Sequence, residues 1–283
     1  CPSCAARKSL WSRAAPPVKK DDADMTAPEY LDRAPHPRLA YHRLAAKGDG
    51  ASRPGVVFLG GFRSDMTGTK AVALEDWARA RGRAFLRFDY SGHGASEGAF
   101  EEGTIGQWAA DAEDAIAELT DGPQILVGSS MGGWIALLLA RRSPERVAGL
   151  VGIAAAPDFT EDMMWAAFDA DTRAALERAG RIELPSDYSE EPTPVTLRLI
   201  EEGRGNLVLR APLPLAFPAR LLQGTADADV PPAVAVRLLD HLESPDARLT
   251  LVKDADHRFS GPRELALLAD TLDEIGEAIA ARS

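Results

Sequence analysis

The sequence predicts an α/β fold: a mostly parallel central sheet with helices on both faces and a small helical cap inserted late in the chain. Three observations carry that reading. From about residue 38, short β-rich runs alternate with helical patterns, the order that builds parallel strands joined by crossover helices. The runs are continuously apolar, not alternating, as strands buried on both faces require. Residues 158–218 break the rhythm with a proline-marked stretch, and the strand pattern resumes at Ala219.

Taken in order, Val56-Val57-Phe58-Leu59 is the first core strand and ends in Gly60-Gly61. The pattern predicts a helix over about 69–81 that stops at Gly82, then a strand over 84–88 that ends at Asp89. A helix over about 104–119 follows. Ile125-Leu126-Val127 is a strand running straight into Gly128-Ser129-Ser130, and residues 131–142, rich in Ala and Leu, read as a buried helix. A strand is expected over 147–155. After the insertion come strands over 219–223 and 249–253 and a closing helix over about 263–281. The expected organisation is an N-terminal tail, partly disordered, over 1–37, a core over 38–157 and 219–283, and a cap over 158–218.

With 283 residues, 45% of them hydrophobic, the chain can build one sizeable core. A formal net charge of −11 argues against binding nucleic acid through its phosphates and against a general attraction to anionic membranes. No stretch approaches the ~20 apolar residues of a spanning helix, so a soluble protein is expected. Cys1 and Cys4 form a CxxC pair beside Pro2 and a polar stretch, which reads as an unstructured end, not a redox site. The rest of the chain has no cysteine, so disulfides do not staple the core. Residue 1 is not methionine. Residues 1–20 carry Arg7, Lys8, Arg13, Lys19 and Lys20 and no acid. That is similar to an organellar transit segment; the alternative is upstream read-through, with Met25 the start. The expected location is cytoplasmic, or the mitochondrial matrix if the basic stretch is a transit segment. The oligomeric state is not legible.

The chemistry converges on Gly128-Ser129-Ser130-Met131-Gly132, a G-x-S-x-G string between a buried strand and a buried helix. A nucleophilic serine there sits on a sharp turn, and small residues on either side let the backbone pass close by. Ser129 is one residue early for the turn tip. Five histidines are available as base. His36 and His42 precede the first core strand, and His93 precedes the serine. His241 lies in a helical run. His257 follows the last strand, in Asp254-Ala255-Asp256-His257-Arg258, where a loop reaches the carboxyl edge of the sheet. The acid is expected after the strand at 219–223: Asp227, with Asp229 and Asp158 as rivals. Its task is to hold the imidazole tautomer and stabilise imidazolium. The oxyanion donors are expected to be the backbone N–H groups of Met131 and of Phe62, after Gly60-Gly61. Neither a metal nor an organic cofactor is required.

Asp89-Tyr90-Ser91-Gly92-His93-Gly94-Ala95-Ser96 resembles the D-x-x-G-x-G-x-S element of α/β-hydrolases. More narrowly, several strings resemble the mitochondrial α/β-hydrolase domain protein 10 family and its bacterial relatives. They are Gly68-Thr69-Lys70-Ala71-Val72-Ala73-Leu74-Glu75, residues 87–92, residues 122–130, Gly132-Gly133-Trp134 and Asp256-His257-Arg258. The resemblance implies the α/β-hydrolase fold and an acyl-protein thioesterase, or depalmitoylase, that also cleaves acyl glucuronides. The implied triad is Ser130, Asp227 and His257. Met131 stands where those proteins have leucine, and only its backbone matters to the chemistry. The cap is the least matched part. Met163, Met164, Trp165 and Phe168 are expected either to line an acyl slot or to glue the cap to the body. Arg63 is expected to be solvated, or to meet a substrate carboxylate such as a glucuronate. The expected partner is a small acyl ester or an S-acylated protein. Two alternatives stay open: the fold with other chemistry, such as a C–C hydrolase or cofactor-free peroxidase, and a non-catalytic binding module.

Overall fold

The computed structural model describes residues 27–185 and 191–282. Cys1, Cys4, the basic N-terminal stretch and Met25 lie outside the described residues. The sheet begins earlier than the sequence suggests. Strands β1 (Glu29–Arg33) and β2 (His36–Leu44) form an antiparallel pair at one edge, so residues 29–37 belong to the sheet and not to a tail. Their burial pattern is mixed, without the continuous apolar run that marks a central strand.

The predicted core elements then follow in order. Strand β3 (Val56–Leu59) leads to α1 (Thr69–Ala80), β4 (Phe85–Phe88) to α2 (Ile105–Leu119), and β5 (Gln124–Ser129) to α3 (Met131–Arg142) and β6 (Val147–Ile153). A π-helix (Thr160–Trp165) opens the insertion, followed by α4 (Ala170–Ala179), β7 (Arg181–Leu184), β8 (Thr193–Thr196), α5 (Leu197–Arg204) and the two-residue β9 (Leu213–Pro214). The core resumes with β10 (Ala219–Gly224), α6 (Pro232–His241), the short β11 (Leu242–Glu243), β12 (Ala247–Val252) and α7 (Pro262–Ala280).

The eight-stranded sheet runs β1-β2-β4-β3-β5-β6-β10-β12, parallel from β4 to β12. Its two faces are legible in the strand alternation. Val57, Leu59, Leu86, Phe88 and Leu126 join a core with α2, α3 and α6. Val56, Phe58, Phe85, Ile125 and Val127 join a second core with α1 and α7. A strand buried on both faces must be apolar at every position, which is why these runs do not alternate. Helix α3 is buried from Met131 to Ala140, as a helix apolar on all sides must be. Strand β12 departs from the expected pattern. It is an edge strand with only Val252 buried, and Leu251 is half-exposed.

The insertion is not purely helical. Strands β7 and β8 form an antiparallel pair, and Leu176, Val195 and Ile200 make a small core of their own. Pro194 sits inside β8, in a two-stranded sheet made only of edges, where the missing N–H is tolerated. Asp158, fully buried at φ 60°, ties the start of this segment to its return stretch. Its carboxylate accepts from the Val208 N–H at 2.7 Å and the Leu209 N–H at 2.9 Å, and burial raises its pKa.

The D-x-x-G-x-G-x-S element proves to be scaffold. Asp89 accepts from the Met66 N–H at 2.6 Å and the Ala95 N–H at 2.9 Å, joining the end of β4 to the loop after β3. A Cβ at Gly94 would stand 2.2 Å from Asp89 Oδ2. Burial pushes the Asp89 carboxyl up to about 6.

Candidate active site

The site forms where β5, β10 and β12 end on the carboxyl edge of the sheet, the edge at which open α/β sheets present their loops. Ser130 lies between β5 and α3 with φ 54° and ψ −118°, a conformation costly for a residue with a Cβ. The strain is held by close packing. The Ser130 N–H donates to the Ile153 carbonyl at 2.9 Å, and its carbonyl accepts from Gly133 and Ala156. A Cβ at Gly132 would stand 2.0 Å from the Leu59 carbonyl oxygen, and one at Gly128 would stand 2.3 Å from that of Gly132. Only glycine at both places lets α3 pack against β3 and β5. Ser129 is the last residue of β5, paired with Ile153, and does not occupy the turn tip.

His257 comes from the loop after β12. Its Nε2 is 3.1 Å from Ser130 Oγ and its Nδ1 is 3.0 Å from Asp227 Oδ2. The Asp227 side chain is fully buried. Its Oδ1 accepts from the N–H groups of Asp229 at 3.0 Å and Val230 at 2.8 Å, while Oδ2 also accepts from Gln223 Nε2 at 2.9 Å. Burial alone raises the carboxyl. The hydrogen bonds from His257, Val230 and Gln223 outweigh it and hold the group below its usual range.

The rival residues are placed elsewhere. Asp229 lies beside the cavity, exposed, and gives Asp227 its N–H. Asp158 is spent on Val208 and Leu209. His241 is half-buried at the end of α6 and bonds the Arg237 carbonyl. His93 is buried in an aromatic cluster with Tyr90, Phe100 and Trp108, and burial pushes it down to about 4, so it stays neutral. Asp227, Asp229 and His257 form the group among the described residues whose ligand atoms lie within 4.8 Å of one another. Asp227 Oδ2 and His257 Nδ1 are already paired with each other.

The turn after β3 comes up against the serine: a Cβ at Gly61 would stand 3.5 Å from the Ser130 Cβ. Its Gly61 carbonyl accepts from the Ser64 N–H and hydroxyl, and Arg63 adopts φ 56°. The Phe62 ring is fixed edge-on against Phe100 at 5.0 Å and Phe159 at 5.6 Å. Met131 is the first residue of α3, so its N–H has no acceptor within the helix.

These residues open on a cavity of about 790 Å³. Its wall includes Met163, Met164, Phe168 and Arg63, as the sequence suggests, but not Trp165. Glu161, Asp162 and Trp165 line a separate opening with Arg173, Arg210 and Arg237, on the other side of the helical turn from Met163. Trp165 lies against the insertion's own core with its ring near Arg173 and Arg204, at 5.2 and 4.9 Å. Met163 and Met164 also pack on the main core, so lining and gluing are combined in them. Arg63 is engaged within the protein: its guanidinium donates to the Pro192 carbonyl at 2.8 Å and lies 3.1 Å from Thr193 Oγ1. Sequence reasoning missed Gln223 and Lys70. Gln223 carries a signal, a polar side chain inside the apolar run of β10; Lys70 sits in one of the resembling strings and lines the cavity. Among the described residues no helix is long and apolar enough to cross a membrane.

The chain is similar to known proteins over most of its length. The model of the α/β hydrolase family matches residues 56–270. The mitochondrial palmitoyl-protein thioesterase ABHD10 of Mus musculus is 39% identical over 247 residues, 87% of this chain and 81% of that protein. The human protein of the same name is 39% identical over 88% of this chain and 80% of its own length. The solved structure of mouse α/β hydrolase domain-containing protein 10 superposes with a TM-score of 0.82 at 38% identity, covering 90% of this chain and all of that one. A solved protein of Agrobacterium vitis S4 also gives 0.82, at 42% identity, with 89% and 98% covered. The motif, the sheet order and these matches agree: the chain belongs to the α/β hydrolase family.

Proposed function

We propose that the protein is a serine hydrolase of acyl thioesters and oxygen esters, with an S-acylated protein or a small acyl ester as substrate. The observation that carries this is the unbroken hydrogen-bond line Ser130–His257–Asp227 opening on one large cavity. His257 takes the Ser130 proton as Oγ attacks the carbonyl carbon. The Phe62 and Met131 N–H groups receive the developing oxyanion, and loss of one such donor typically costs ~10²–10³ in rate. His257 then protonates the leaving thiolate or alkoxide. Water, activated by the same imidazole, releases the acid from the acyl-enzyme. Asp227, kept ionised, stabilises the imidazolium formed in each step.

The insertion over 158–218 serves as a cap that supplies the acyl slot. Phe159, Met163, Met164, Phe168 and Leu184 make its apolar wall. The 39% identity to relatives named palmitoyl-protein thioesterase supports a long acyl chain. With ~0.8 kcal/mol per buried methylene, kcat/KM is expected to rise about three- to fourfold per CH₂ until the slot is full. Steady-state hydrolysis of a thioester series and an oxygen-ester series from acetyl to palmitoyl tests this. A flat series, or a preference for acetyl, contradicts the long slot. No hydrolysis of either series contradicts the proposed activity.

A further inference from the structure

The string that begins Gly68-Thr69-Lys70 is part of the family resemblance, yet neither the triad nor the oxyanion turn uses it. We propose that Lys70 is a positioning residue: from the first turn of α1 it grips the carbonyl of Arg258, the residue after the base, and so holds the loop that presents His257 to Ser130. This rests on the reading of His257 as the base.

The loop needs such a grip. It leaves β12, an edge strand that is largely exposed. Two non-glycine residues in and after it, Asp254 at φ 63° and Phe259 at φ 47°, sit in the left-handed region. Strained residues persist only where the surroundings over-determine them. Other hydrogen bonds of the loop come from the β10 side or from within it, and the fully buried Phe259 packs in the core shared with α1 and α7. The Asp254 N–H donates to Thr225 Oγ1 at 2.9 Å, the Ala226 N–H to the Ala255 carbonyl at 3.0 Å, and the Phe259 N–H to Asp256 Oδ1 at 3.1 Å. Lys70 supplies the bond from α1, on the side of the oxyanion turn. Lys70 is half-buried, and its amine makes this bond at the open rim of the cavity. Burial lowers Lys70 to about 8, Asp256 acts to raise it and Arg258 to lower it. Arg63, Asp65 and Asp229 are the other charged groups on the same cavity wall.

A pH dependence follows with a definite sign. Neutral His257 is the working base, so the triad alone gives a plateau on the alkaline side. As pH rises through about 8, Lys70 loses its charge and its grip on the carbonyl weakens, so kcat falls while KM changes little. The test is hydrolysis of one thioester from pH 6 to 10, corrected for spontaneous hydrolysis and folded fraction, in the parent, Lys70→Met, Lys70→Arg and His257→Ala. Lys70→Met is expected to lower kcat ten- to a hundredfold, the scale of a small misplacement of a catalytic group, and to lack the alkaline fall. Lys70→Arg, charged throughout this range, is expected to restore most of kcat and to remove the fall. Parental kcat in Lys70→Met, or an unchanged alkaline fall in both Lys70 variants, overturns the proposal. An active His257→Ala overturns instead the reading of the base on which it rests.

Discussion

Ser130→Ala is expected to lower kcat by about 10⁶-fold with little change in KM, the size of effect seen when a triad serine is removed. The fold is expected to survive, because alanine keeps the Cβ that already occupies the strained turn and the backbone bonds to Ile153, Gly133 and Ala156 are untouched. The activity left is what the oxyanion N–H groups and substrate binding give without a nucleophile. Single-turnover hydrolysis of a thioester, beside a thermal melt, separates lost chemistry from lost fold. A variant that melts like the parent and keeps more than a few per cent of its rate contradicts the assignment.

Asp227→Asn is expected to lower kcat about 10⁴-fold, and the reason is the tautomer. Oδ1 accepts two backbone N–H groups, from Asp229 and Val230, so the amide oxygen of an asparagine is pinned there. Its NH₂ then stands at the Oδ2 position, facing His257 Nδ1 and Gln223 Nε2, both donors in the parent. Gln223 Nε2 is held by the Gly224 and Val230 carbonyls at 3.2 and 3.1 Å, so it stays a donor facing the new NH₂. His257 can answer only by moving its proton to Nε2, and an imidazole protonated there cannot accept the proton of Ser130. Steady-state kinetics on well-folded Asp227→Asn checks this. A loss of less than tenfold contradicts the role given to Asp227.

The parts of the molecule legible in the sequence are those written in local patterns. Val56 to Leu59 and Ile125 to Val127 are apolar at every position because both faces of the sheet are covered. The G-x-S-x-G string is readable because Gly128 and Gly132 have no room for a Cβ. Chain order together with strand ends then leads to Asp227 and His257. What escaped depends on contacts distant in sequence or on small rotations. The β1–β2 edge is half-solvated and lacks an apolar run. Trp165 follows Met163 and Met164 directly in sequence, yet it lines a different opening from theirs. Lys70 meets Arg258 across 188 residues, which no local pattern encodes.

In the proposed mechanism Ser130 is a nucleophile activated by His257. Labelling with a fluorophosphonate, followed by mass spectrometry of the modified peptide, tests it most directly. One adduct is expected, on Ser130, present in the parent, absent in Ser130→Ala and strongly slowed in His257→Ala. An adduct on Ser129 or Ser64, or a parent that reacts no faster than His257→Ala, would contradict it.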